Sequence, residues 1–394
     1  LVADQAHRQL LLHLFIIPLS RHLGCSFFVR DCLKVKCQIR ENQYLKRNDI
    51  VICARNGSKA LVGKCAIYEG DSDVISFGAF MAIFRTPFFQ YAYLYFNSPV
   101  FRRNFSNDDS KQINQVTQNI LKNSLIPIPP EEEQKRITDK INSVFSFLDT
   151  IDTLQSQYQE NLATLKSKII DAGIQGKLTE QLPEDGTAEE LYQQIQQEKL
   201  ALEKAGKVKK SKPLPPISEE EKPFEIPENW KWVRIGNIGS WSAGSTPARN
   251  NPAYYKDGSI PWLKTGDLDD NYISEVPEYI TELAMKETSV RLNPVGSVLM
   301  AMYGATIGKL GILETPMTTN QACCACIPYT GMYNKYLFYY LLGRRKEFIE
   351  KGKGGAQPNI SKEIIVNSAI PLPPLAEQKR IVAKLEELLP LCEG

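Results

Sequence analysis

Four short stretches of this sequence contain residue types from which enzyme sites are built. Residues 251–254 read Asn-Pro-Ala-Tyr, one residue away from the Asn-Pro-Pro-Tyr loop with which amino-methyltransferases hold a target amine. Residues 304–310 imitate a phosphate-binding loop, but the loop is one residue short and ends in Leu where a metal-binding hydroxyl is needed. Residues 133–135 and 377–379 have the Glu-x-Lys spacing of nucleases, yet both follow a Pro-Pro pair and read as helix starts. No Gly-rich methyl-donor loop follows a predicted strand, and neither Glu-x-Lys pair lies on a strand beside a second carboxylate, so none of these stretches completes a catalytic set.

The cysteines and histidines do not form the pattern of a metal site or of a nucleophile with its base. Residues 323–326 read Cys-Cys-Ala-Cys and contain one Cys-x-x-Cys pair, whereas a structural zinc site needs a second pair or matching histidines. The histidines all lie within the first 22 residues, and the alternation around Cys323 is typical of a half-buried strand. The sequence therefore predicts no metal site and no catalytic residue in this chain.

Polar residues of other types form two clusters. Arg, Lys, Asn and Gln side chains hydrogen bond to phosphates and to base edges, so these clusters favour nucleic-acid binding over catalysis. The first cluster is Arg55, Asn56, Ser58, Lys59 and Lys64, followed by Lys111, Gln112 and Asn114. The second cluster is Tyr303, Thr306 and Lys309, followed by Lys353, Gln357 and Asn359. A solvated loop explains any single member, but it does not explain the correspondence between the two clusters.

The two clusters correspond because the chain contains an internal repeat. Residues 127–137 recur as residues 371–381, with eight of the eleven positions identical. Upstream, residues 49–57 lie over residues 296–304, and each copy reads as an apolar strand, a Gly-containing turn and a second strand. The sequence therefore predicts a duplicated globular unit, with each copy followed by a helix.

The helix after the first copy has the seam of a coiled coil, because its apolar residues alternate at spacings of four and three. The seam residues are Ile137, Ile141, Val144, Leu148, Ile151, Tyr158, Leu162, Leu165 and Ile169. After the second copy Ile381, Leu385 and Leu388 repeat the same phase, so the two helices are expected to pair. Aromatic segments at 93–96 and 336–339 also match, and we interpret them as helix core and not as a base-stacking surface.

Composition and charge indicate an ordinary globular protein. The chain has 394 residues, of which 43% are apolar, and a formal charge of +2. Residues 1–130 carry 16 basic and 9 acidic side chains, and such a basic block permits nucleic-acid binding. The apolar residues 10–19 are interrupted by a histidine and a proline, so no membrane span is predicted. Nine loosely spaced cysteines predict a reduced, cytoplasmic protein. The chain begins with Leu1 in place of Met, which suggests a fragment or a displaced start.

The ordered motifs of the chain resemble those of the specificity subunits of type I restriction-modification systems. They are the duplicated Pro-x-Pro-Pro-x-x-Glu-Gln-Lys-Arg-Ile element, Ile-Pro-Glu-Asn-Trp at 226–230, Gly-Ser-Thr-Pro at 244–247, and Ile-Pro-Trp-Leu-Lys-Thr-Gly-Asp at 260–267. The resemblance extends from residue 48 or so to the end of the chain. It adds Thr246 and Lys264 to the candidate DNA-binding residues.

The resemblance implies an α+β fold with two target-recognition domains, each a small twisted β-sheet with helices. Long helices that form an antiparallel coiled coil are expected to join and space the domains. Each domain is expected to read one half of a split site in double-stranded DNA. Two modification subunits that use S-adenosylmethionine, and restriction subunits that use ATP and Mg, are expected to bind the chain. The chain itself is expected to hold no cofactor, to perform no catalysis and to contact no membrane.

These expectations divide the chain into five segments. They are a first recognition domain at 1–130, a central coiled-coil helix at 131–178, a second helix with a Pro-rich linker at 179–226, a second recognition domain at 227–374, and the start of a second coiled-coil helix at 375–394. Thr187 and Glu190 form a predicted capping box for the second helix. The seam of the central helix spans roughly 50 Å, which would separate two DNA contacts by about one and a half turns.

The first copy departs from this pattern at its opening. At the offset of the repeat, the counterpart of Thr265–Asp267 falls on residues 18–20, where nothing matches. Two alternative functions therefore stay open. One is an inactive or half-site-only fragment that acts as an interaction module on modification subunits. The other is an autonomous DNA methyltransferase, against which the missing methyl-donor motif argues.

Overall fold

The structure is a computed structural model that describes residues 10–12, 33–35, 39–70, 75–106, 115–352 and 359–393. The candidate residues Lys111, Gln112, Asn114, Lys353 and Gln357 lie outside this described part of the chain. The chain divides into two compact units, Leu1–Gln157 and Tyr158–Gly394. Within the described part, no helix is long and apolar enough to cross a membrane.

Strands precede helices in the first unit, and groups of strands are separated by helices in the second. The first unit contains β1 (Leu10–Leu12), β2 (Leu33–Val35), β3 (Ile50–Cys53), β4 (Cys65–Ile67), β5 (Met81–Phe84), α1 (Phe89–Asn97), α2 (Pro99–Ser106) and α3 (Gln118–Asn123). Helix α4 (Glu131–Ile174) begins in the first unit and ends in the second. The second unit continues with α5 (Ala188–Lys204), β6 (Lys231–Arg234), β7 (Gly239–Ala243), β8 (Ile260–Leu263), β9 (Asn271–Ile273), β10 (Tyr279–Ile280), α6 (Glu282–Glu287), β11 (Val298–Ala301), β12 (Leu310–Leu313), β13 (Thr318–Thr319), β14 (Cys323–Pro328), α7 (Asn334–Gly343), α8 (Arg345–Lys351), α9 (Lys362–Asn367), β15 (Ala369–Leu372) and α10 (Leu375–Leu388).

The first unit is built on an antiparallel sheet in which β3 lies between β4 and β5. All four residues of β3 are buried, which is typical of a short apolar run that is covered on both faces. Ile50 and Ile52 belong to a cluster with α1 and α2, whereas Val51 belongs to a second cluster with Tyr68. Alternate residues of one strand therefore hold two apolar layers on the sheet. Strands β1 and β2 form a separate antiparallel pair.

The second unit is built on a five-stranded sheet in the order β7-β14-β11-β12-β9. Strand β9 is parallel to β12, and the other neighbours are antiparallel. Val298 and Met300 of β11 pack in a cluster with α7 and α10, while Leu299 and Ala301 pack in a cluster on the opposite face. Two smaller sheets, β10-β8-β13 and β15-β6, complete the unit. The alternation of faces along β11 is the same as along β3.

The predicted internal repeat is visible in the hydrogen bonding as well as in the sequence. The order β12-β11-β14 repeats the order β4-β3-β5 with the same antiparallel pairing. After β3 the carbonyl of Ala54 accepts the N–H of Val116, and after β11 the carbonyl of Met302 accepts the N–H of Ile360, both at 2.7 Å. The duplication therefore includes the backbone contacts that join distant segments within each unit.

The aromatic segments of the two repeats lie in helices and belong to the core, as predicted. Tyr93 and Phe96 in α1, and Tyr336 and Phe338 in α7, are buried. Phe96 packs edge to face on Phe101 with the ring centroids 4.9 Å apart. The buried rings are therefore not available to stack on bases.

The two predicted helices of the connecting region are present with well-defined ends. Helix α4 ends at Ile174, four residues before the expected boundary, because Gly176 adopts a φ of +73° and the next N–H donates back into the last turn. The capping box of α5 is confirmed. The hydroxyl of Thr187 accepts the N–H of Glu190 at 3.3 Å, and the Glu190 carboxylate accepts the N–H of Thr187 at 3.2 Å.

The predicted coiled-coil seam of α4 is largely exposed. Between 46% and 56% of the surface is exposed for Val144, Leu148, Ile151, Tyr158 and Leu165. We refer to these five residues as the α4 seam. Apolar residues at this spacing are normally buried against another element. The α4 seam is therefore a surface that suits a partner helix.

Helix α10 covers only the C-terminal end of α4, and it runs antiparallel to it. Gly173, near the end of α4, lies against Ile381 and Leu385. Two turns earlier in α4, Lys166 forms an ion pair at 3.3 Å with Glu393, which follows α10. The expected antiparallel pairing is thus present for the last turns of α4, and within the described residues no helix covers the α4 seam.

Two buried polar side chains fix the start of α10. Glu377 is fully buried and accepts hydrogen bonds from Trp230 Nε1 at 2.8 Å, Gln181 Nε2 at 2.8 Å and Thr179 Oγ1 at 3.1 Å. The side-chain oxygen of the next residue, Gln378, accepts the N–H of Tyr333, the residue before α7, at 2.8 Å. Buried polar groups are stable where such partners are supplied. The Glu377–Gln378 pair is therefore a structural junction and not half of a nuclease site.

We expect Glu377→Ala to lower the free energy of unfolding of the second unit by about 2–4 kcal/mol, because the indole N–H of Trp230 loses its buried acceptor. Chemical denaturation followed by tryptophan fluorescence measures the change. Glu387→Ala is the matched control, since Glu387 is exposed and makes only a surface ion pair with Lys384. Its effect should stay within about 0.5 kcal/mol. Equal effects of the two substitutions would show that Glu377 does not hold the junction.

Candidate nucleic-acid interface

The loops that carry candidate residues of the second unit leave the five-stranded sheet on one side, where the ends of four strands are aligned. Cys324 of β14 lies opposite both Ala243 of β7 and Met300 of β11, so the end of β7, the start of β14 and the end of β11 are aligned. Strand β12 begins at the same edge, with Leu310 opposite Met300. We call this the loop edge. It consists of residues 244–247, 264, 302–309, 320–322 and 359.

Residues 302–309 form a tight loop that is closed by backbone hydrogen bonds. Gly304 and Gly308 have φ angles of +87° and +80°, which glycine adopts without strain. The N–H of Gly308 donates at 2.8 Å to the carbonyl that ends β11. A Cβ at Gly308 would lie 2.9 Å from Cγ of Arg345, so α8 packs directly on the loop. The partly exposed side chains held by this frame are Tyr303, Thr306 and Lys309.

Asn359 joins the same loop although it is far away in sequence. A β-bridge pairs Asn359 with Tyr303, and the hydrogen bond between Met302 and Ile360 follows it. The side chain of Asn359 is exposed. The structure thus brings Asn359 next to the loop residues with which the sequence repeat groups it.

The Gly-Ser-Thr-Pro motif forms the neighbouring part of the loop edge. A Cβ at Gly244 would overlap the carbonyl oxygens of Thr319 and Asn320, so only glycine allows this approach. The hydroxyl of Thr246 donates a hydrogen bond to the side-chain carbonyl of Gln321. The motif therefore places Thr246 beside Gln321, just before β14.

The backbone N–H of Asn320 donates to the carbonyl of Leu263 at 2.9 Å. This hydrogen bond places the next residue, Lys264, at the loop edge. The Lys264 ammonium forms an ion pair with Glu278, and Arg249 shares the same carboxylate at 2.9 Å. The hydrogen bond from Lys264, with a smaller contribution from Arg249, holds the pKa of Glu278 below its ordinary value. The Arg249 guanidinium also lies 4.5 Å from the ring centroid of Trp262. Two cations are therefore anchored to one carboxylate beside an aromatic ring.

Lys309 differs from the other cations of the loop edge. Arg345 forms an ion pair with Asp270, whose carboxylate also accepts the N–H of Leu310 at 2.9 Å. Lys309 has neither an ion pair nor a side-chain hydrogen bond among the residues that the structure describes. An ammonium without a carboxylate partner keeps its charge for an external anion such as phosphate.

The first unit repeats the bridge of the loop edge. A β-bridge pairs Arg55 with Gln115, and the Arg55 guanidinium lies 5.7 Å from the ring centroid of the exposed Phe80. The side-chain oxygen of Asn56 accepts the N–H of Ser58 at 2.9 Å, which shapes the turn after β3. The first unit therefore presents an Arg, an Asn, a Gln and an aromatic ring at the position of the second unit's loop.

The loop after β3 closes in the same way as the loop after β11. Gly63 has a φ of +79°, and its N–H donates to the carbonyl of Cys53 at 2.8 Å. Lys64 follows this glycine as Lys309 follows Gly308, and it is partly exposed, while Lys59 is exposed. The two basic residues thus lie on the same loop as Arg55.

Sequence reasoning missed three residues of these surfaces, namely Phe80, Arg249 and Gln321. All three lie outside the repeated motifs, and strand pairing alone brings them to their neighbours. Polar residues directly before the apolar run of β14 are a usable signal for Gln321, because such residues mark a strand end.

The cysteines of β14 do not form a metal site. Cys323 lies in the cluster on one face of the sheet, and Cys326 lies in the cluster on the other, so the two thiols point away from each other. The expected half-buried strand is wrong for these positions, because apolar layers cover both faces and bury residues 323–326. Burial raises the pKa of Cys324 to about 12, so its thiol stays protonated at neutral pH. In the described part of the chain, no group of three or more His, Cys, Asp or Glu residues is placed to hold a metal ion.

The other enzyme-like stretches occupy ordinary structural positions. Asn251 caps a short 3-10 turn by accepting the N–H of Ala253 at 3.1 Å. Residues 133–135 lie in the first turn of α4, and residues 377–379 lie at the start of α10. These positions explain the motifs without a catalytic role.

Comparison with known proteins identifies the family. The family model for the type I restriction modification DNA specificity domain matches residues 33–159 and 227–392. The chain belongs to this family. Each matched segment of the specificity-domain family contains one of the two bridged loops, Arg55 with Gln115 in the first and Tyr303 with Asn359 in the second.

Two specificity subunits of Escherichia coli are among the relatives of this specificity-domain chain. The EcoAI subunit is 30% identical over 84% of this chain, and the EcoEI subunit is 27% identical over 70%. The chain spans 65% and 48% of the lengths of these two relatives. A solved structure that describes complex assembly and conformational transition of a type I R-M system contains a chain with a TM-score of 0.62 at 19% identity. The match covers 92% of this chain and 80% of that one. The likeness confirms the predicted mixed α and β fold.

We expect Lys264→Met to raise the pKa of Glu278, and to raise it more than Arg249→Met does, because Lys264 contributes the stronger hydrogen bond. A carboxylate whose pKa is lowered by folding stabilises the fold above its unfolded pKa, and this stability is lost as the pH falls through the folded pKa. The acid side of the stability profile should therefore flatten in Lys264→Met. A carbon-13 NMR titration of the glutamate carboxyls measures the pKa. Lys286→Met, on an exposed lysine of α6, is the control, and an unchanged pKa in Lys264→Met would contradict the assigned pairing.

Proposed function

We propose that this chain is the DNA-recognition subunit of a type I restriction-modification complex. Each of its two units reads one half of a bipartite site in double-stranded DNA, and the chain directs partner methyltransferase and restriction subunits to that site. The observation that carries the proposal is the bridged loop that occurs once in each specificity domain. A protein that reads a split site needs two such surfaces on one chain.

The residue types at the two loops support recognition of DNA. Asn and Gln side chains form paired hydrogen bonds with adenine, and Arg does so with guanine in the major groove. Asn359 and Tyr303 in the second unit, and Arg55 and Gln115 in the first, are assigned to base contacts. Lys309 is assigned to a phosphate contact, which positions the protein without reading sequence.

Helix α4 supports a role as a spacer between the two recognition domains. Its 44 residues form one unbroken helix of about 66 Å. We assign residues 1–130 and 227–374 to the recognition domains, 131–178 to the spacer, 179–226 to the second helix and linker, and 375–394 to the start of a second spacer helix. The α4 seam supplies the apolar surface on which a paired helix or modification subunits dock.

The chemistry of the complex is assigned to the partners. Two modification subunits would bring S-adenosylmethionine, and restriction subunits would bring ATP and Mg, while this chain holds no cofactor and selects the site. The six cysteines in the described residues are unpaired, which fits the reducing cytoplasm, where these partners and their DNA meet.

A second candidate is a subunit that reads only one half-site. It is favoured by the sequence of the first unit, in which the Thr265–Asp267 motif of the second unit has no counterpart. In that case, only the loop edge of the second unit determines sequence. The methylation pattern described below separates the two candidates.

We expect Lys309→Ala to weaken binding to all DNA sequences and to lower the slope of log affinity against log salt by about one, because one phosphate contact is lost. Asn359→Ala should instead relax the choice of base at one position, at a cost of about 1–3 kcal/mol in discrimination. Gel-shift titrations against a randomised site library at several salt concentrations measure both effects.

Lys204→Ala is the matched control for these DNA-binding variants. Helix α5 contacts Asn237, which precedes β7, and Thr330, which follows β14. The loop edge lies at the other ends of these two strands. Lys204→Ala should therefore leave the affinity and the salt slope unchanged. A uniform loss across all sequences for Asn359→Ala would contradict its assignment to a base.

We expect deletion of residues 145–151 from α4 to shorten the unread spacer of the DNA site by about 3 base pairs, because one heptad of helix is about 10.5 Å long. Both half-sites should stay the same. Co-expression with the modification subunit, followed by mapping of all methylated bases in the host genome, measures the site. Gln155→Ala with Gln159→Ala, which keeps the length of α4, should preserve the spacer.

Each pattern of methylation has a distinct meaning. A split motif with a fixed gap supports recognition by both units. A motif with one defined half supports the half-site candidate, and an unchanged gap in the deletion variant would contradict the spacer role of α4. No methylation with the intact chain would support an inactive interaction module.

A further inference from the structure

The turn before β14 is the point where two other segments of the loop edge are attached. The N–H of Met302 donates at 2.8 Å to the carbonyl of Ala322, and the N–H of Ser245 donates at 2.9 Å to the carbonyl of Thr319. Gln321 lies between these two attachments, and its side chain is exposed. Gln321 is therefore an exposed residue at the place where the Gly-Ser-Thr-Pro motif and residues 302–309 come together.

The first unit builds the same junction with a different side chain. The carbonyl of Phe80 accepts the N–H groups of Ala54 and Arg55 at 2.9 Å and 3.0 Å. Phe80 directly precedes β5, as Ala322 directly precedes β14, and the Phe80 ring is exposed. The turns before β5 and β14 thus present an exposed residue beside the bridged loop in each unit. The position is common to both copies, whereas the side chain that it carries differs.

The backbone around Thr246 is held by two aromatic side chains. The indole N–H of Trp262 donates to the carbonyl of Ser245 at 3.1 Å, and the hydroxyl of Tyr255 donates to the carbonyl of Pro247 at 2.6 Å. Trp262 is buried, and the Tyr255 ring packs edge to face on it. Both neighbours of Thr246 are therefore fixed to the core, so the position of its hydroxyl is set by the fold.

The Thr246 hydroxyl orients the side chain of Gln321. It donates a hydrogen bond to Oε1 of Gln321, which leaves one lone pair on Oε1 and both hydrogens on Nε2. Among the residues that the structure describes, Nε2 of Gln321 has no hydrogen-bond partner. A glutamine that is held at its end has already lost side-chain entropy that an unrestrained glutamine loses on binding. Gln321 therefore presents an acceptor beside a donor in one orientation.

An acceptor beside a donor matches one base. Adenine presents the N6 amino group and the N7 acceptor next to each other in the major groove. Guanine presents two acceptors on this edge and cytosine presents a donor, so neither satisfies both groups of the amide.

We propose that Gln321 determines specificity for an adenine in the half-site of the second unit, and that Thr246 is a positioning residue that acts through Gln321. The inference rests on the proposed function, which it deepens by assigning one base to one side chain.

Selection of DNA from a randomised site library by the full chain, with sequencing of the bound fraction, measures the preference at each base pair. We expect Gln321→Ala to lower discrimination for adenine at one base pair by about 10- to 100-fold and to leave the other base pairs unchanged. Gln321→Glu should shift the preference at that base pair towards cytosine, because a carboxylate accepts the cytosine amino group and cannot donate to N7 of adenine.

The role of Thr246 is tested by two substitutions that differ in the hydroxyl. Thr246→Val should lower discrimination at the same base pair by about threefold, the size expected from one neutral hydrogen bond, whereas Thr246→Ser should preserve it. Because Thr246 acts through Gln321, adding Thr246→Val to Gln321→Ala should cause no further loss. A further loss in the double variant, or equal behaviour of the Val and Ser variants, would overturn the positioning role.

Gln197→Ala and Thr315→Val are the matched controls. Gln197 is an exposed residue of α5, and Thr315 follows β12 at the end of that strand away from the loop edge. Both variants should select the same motif as the unaltered chain does.

The failure of this inference is distinguishable from the failure of the proposed function. If the unaltered chain selects no sequence, both are wrong. If the unaltered chain selects a motif and Gln321→Ala selects it equally well, only the inference is overturned. A uniform loss of affinity for all sequences in Gln321→Ala, or relaxation at a base pair that does not contain adenine, would also overturn it.

Discussion

The buried carboxylate of Glu377 is the contact on which the organisation of the second unit depends. It takes donors from the turn after α4 and from the opening of the second domain, at Thr179, Gln181 and Trp230. A buried carboxylate without these donors would cost several kcal/mol, so the segments must meet for α10 to begin where it does. Once they meet, α10 lies along the end of α4, and β15 pairs with β6. Strand β7 follows β6, and it leads directly to the loop edge at Gly244.

The loop edge combines a backbone frame closed by hydrogen bonds with cations of two kinds, those paired with a carboxylate and those without such a pair among the described residues. Backbone hydrogen bonds and positive φ angles set the path of residues 302–309, and the bridge to Asn359 closes it. Glu278 restrains Lys264 and Arg249, whereas Lys309 has no carboxylate partner among the residues that the structure describes.

The features that depend on local spacing could be predicted from the sequence. The long helix, the aromatic core of α1 and α7, and the capping box at Thr187 each follow from residues within a few turns of one another. The repeat follows from comparing two distant segments of the sequence. The end of α4 was expected at residue 178, and the left-handed conformation of Gly176 places it earlier. The spacing of the α4 seam predicted an apolar face, but spacing does not say which segment covers it.

Features that depend on strand order could not be predicted in this way. The full burial of β14 requires apolar layers on both faces, which only the assembled sheet supplies. The contacts of Thr246 with Gln321 and of Arg249 with Glu278 join residues that are close only after β7, β8 and β14 are in register. The cluster that contains Asn359 could be grouped from the sequence repeat, and the same bridge then occurs in both units.

The frame of the loop edge is made by main-chain atoms, and this has an evolutionary consequence. Carbonyl and N–H groups close the loop at Gly308 and at Ile360, so the side chains at Tyr303, Thr306 and Asn359 contribute little to holding its shape. Selection is therefore free to exchange those side chains while the glycines stay constrained. Because the two copies build their loops separately, substitutions in the side chains of one loop leave the backbone frame of the other unchanged.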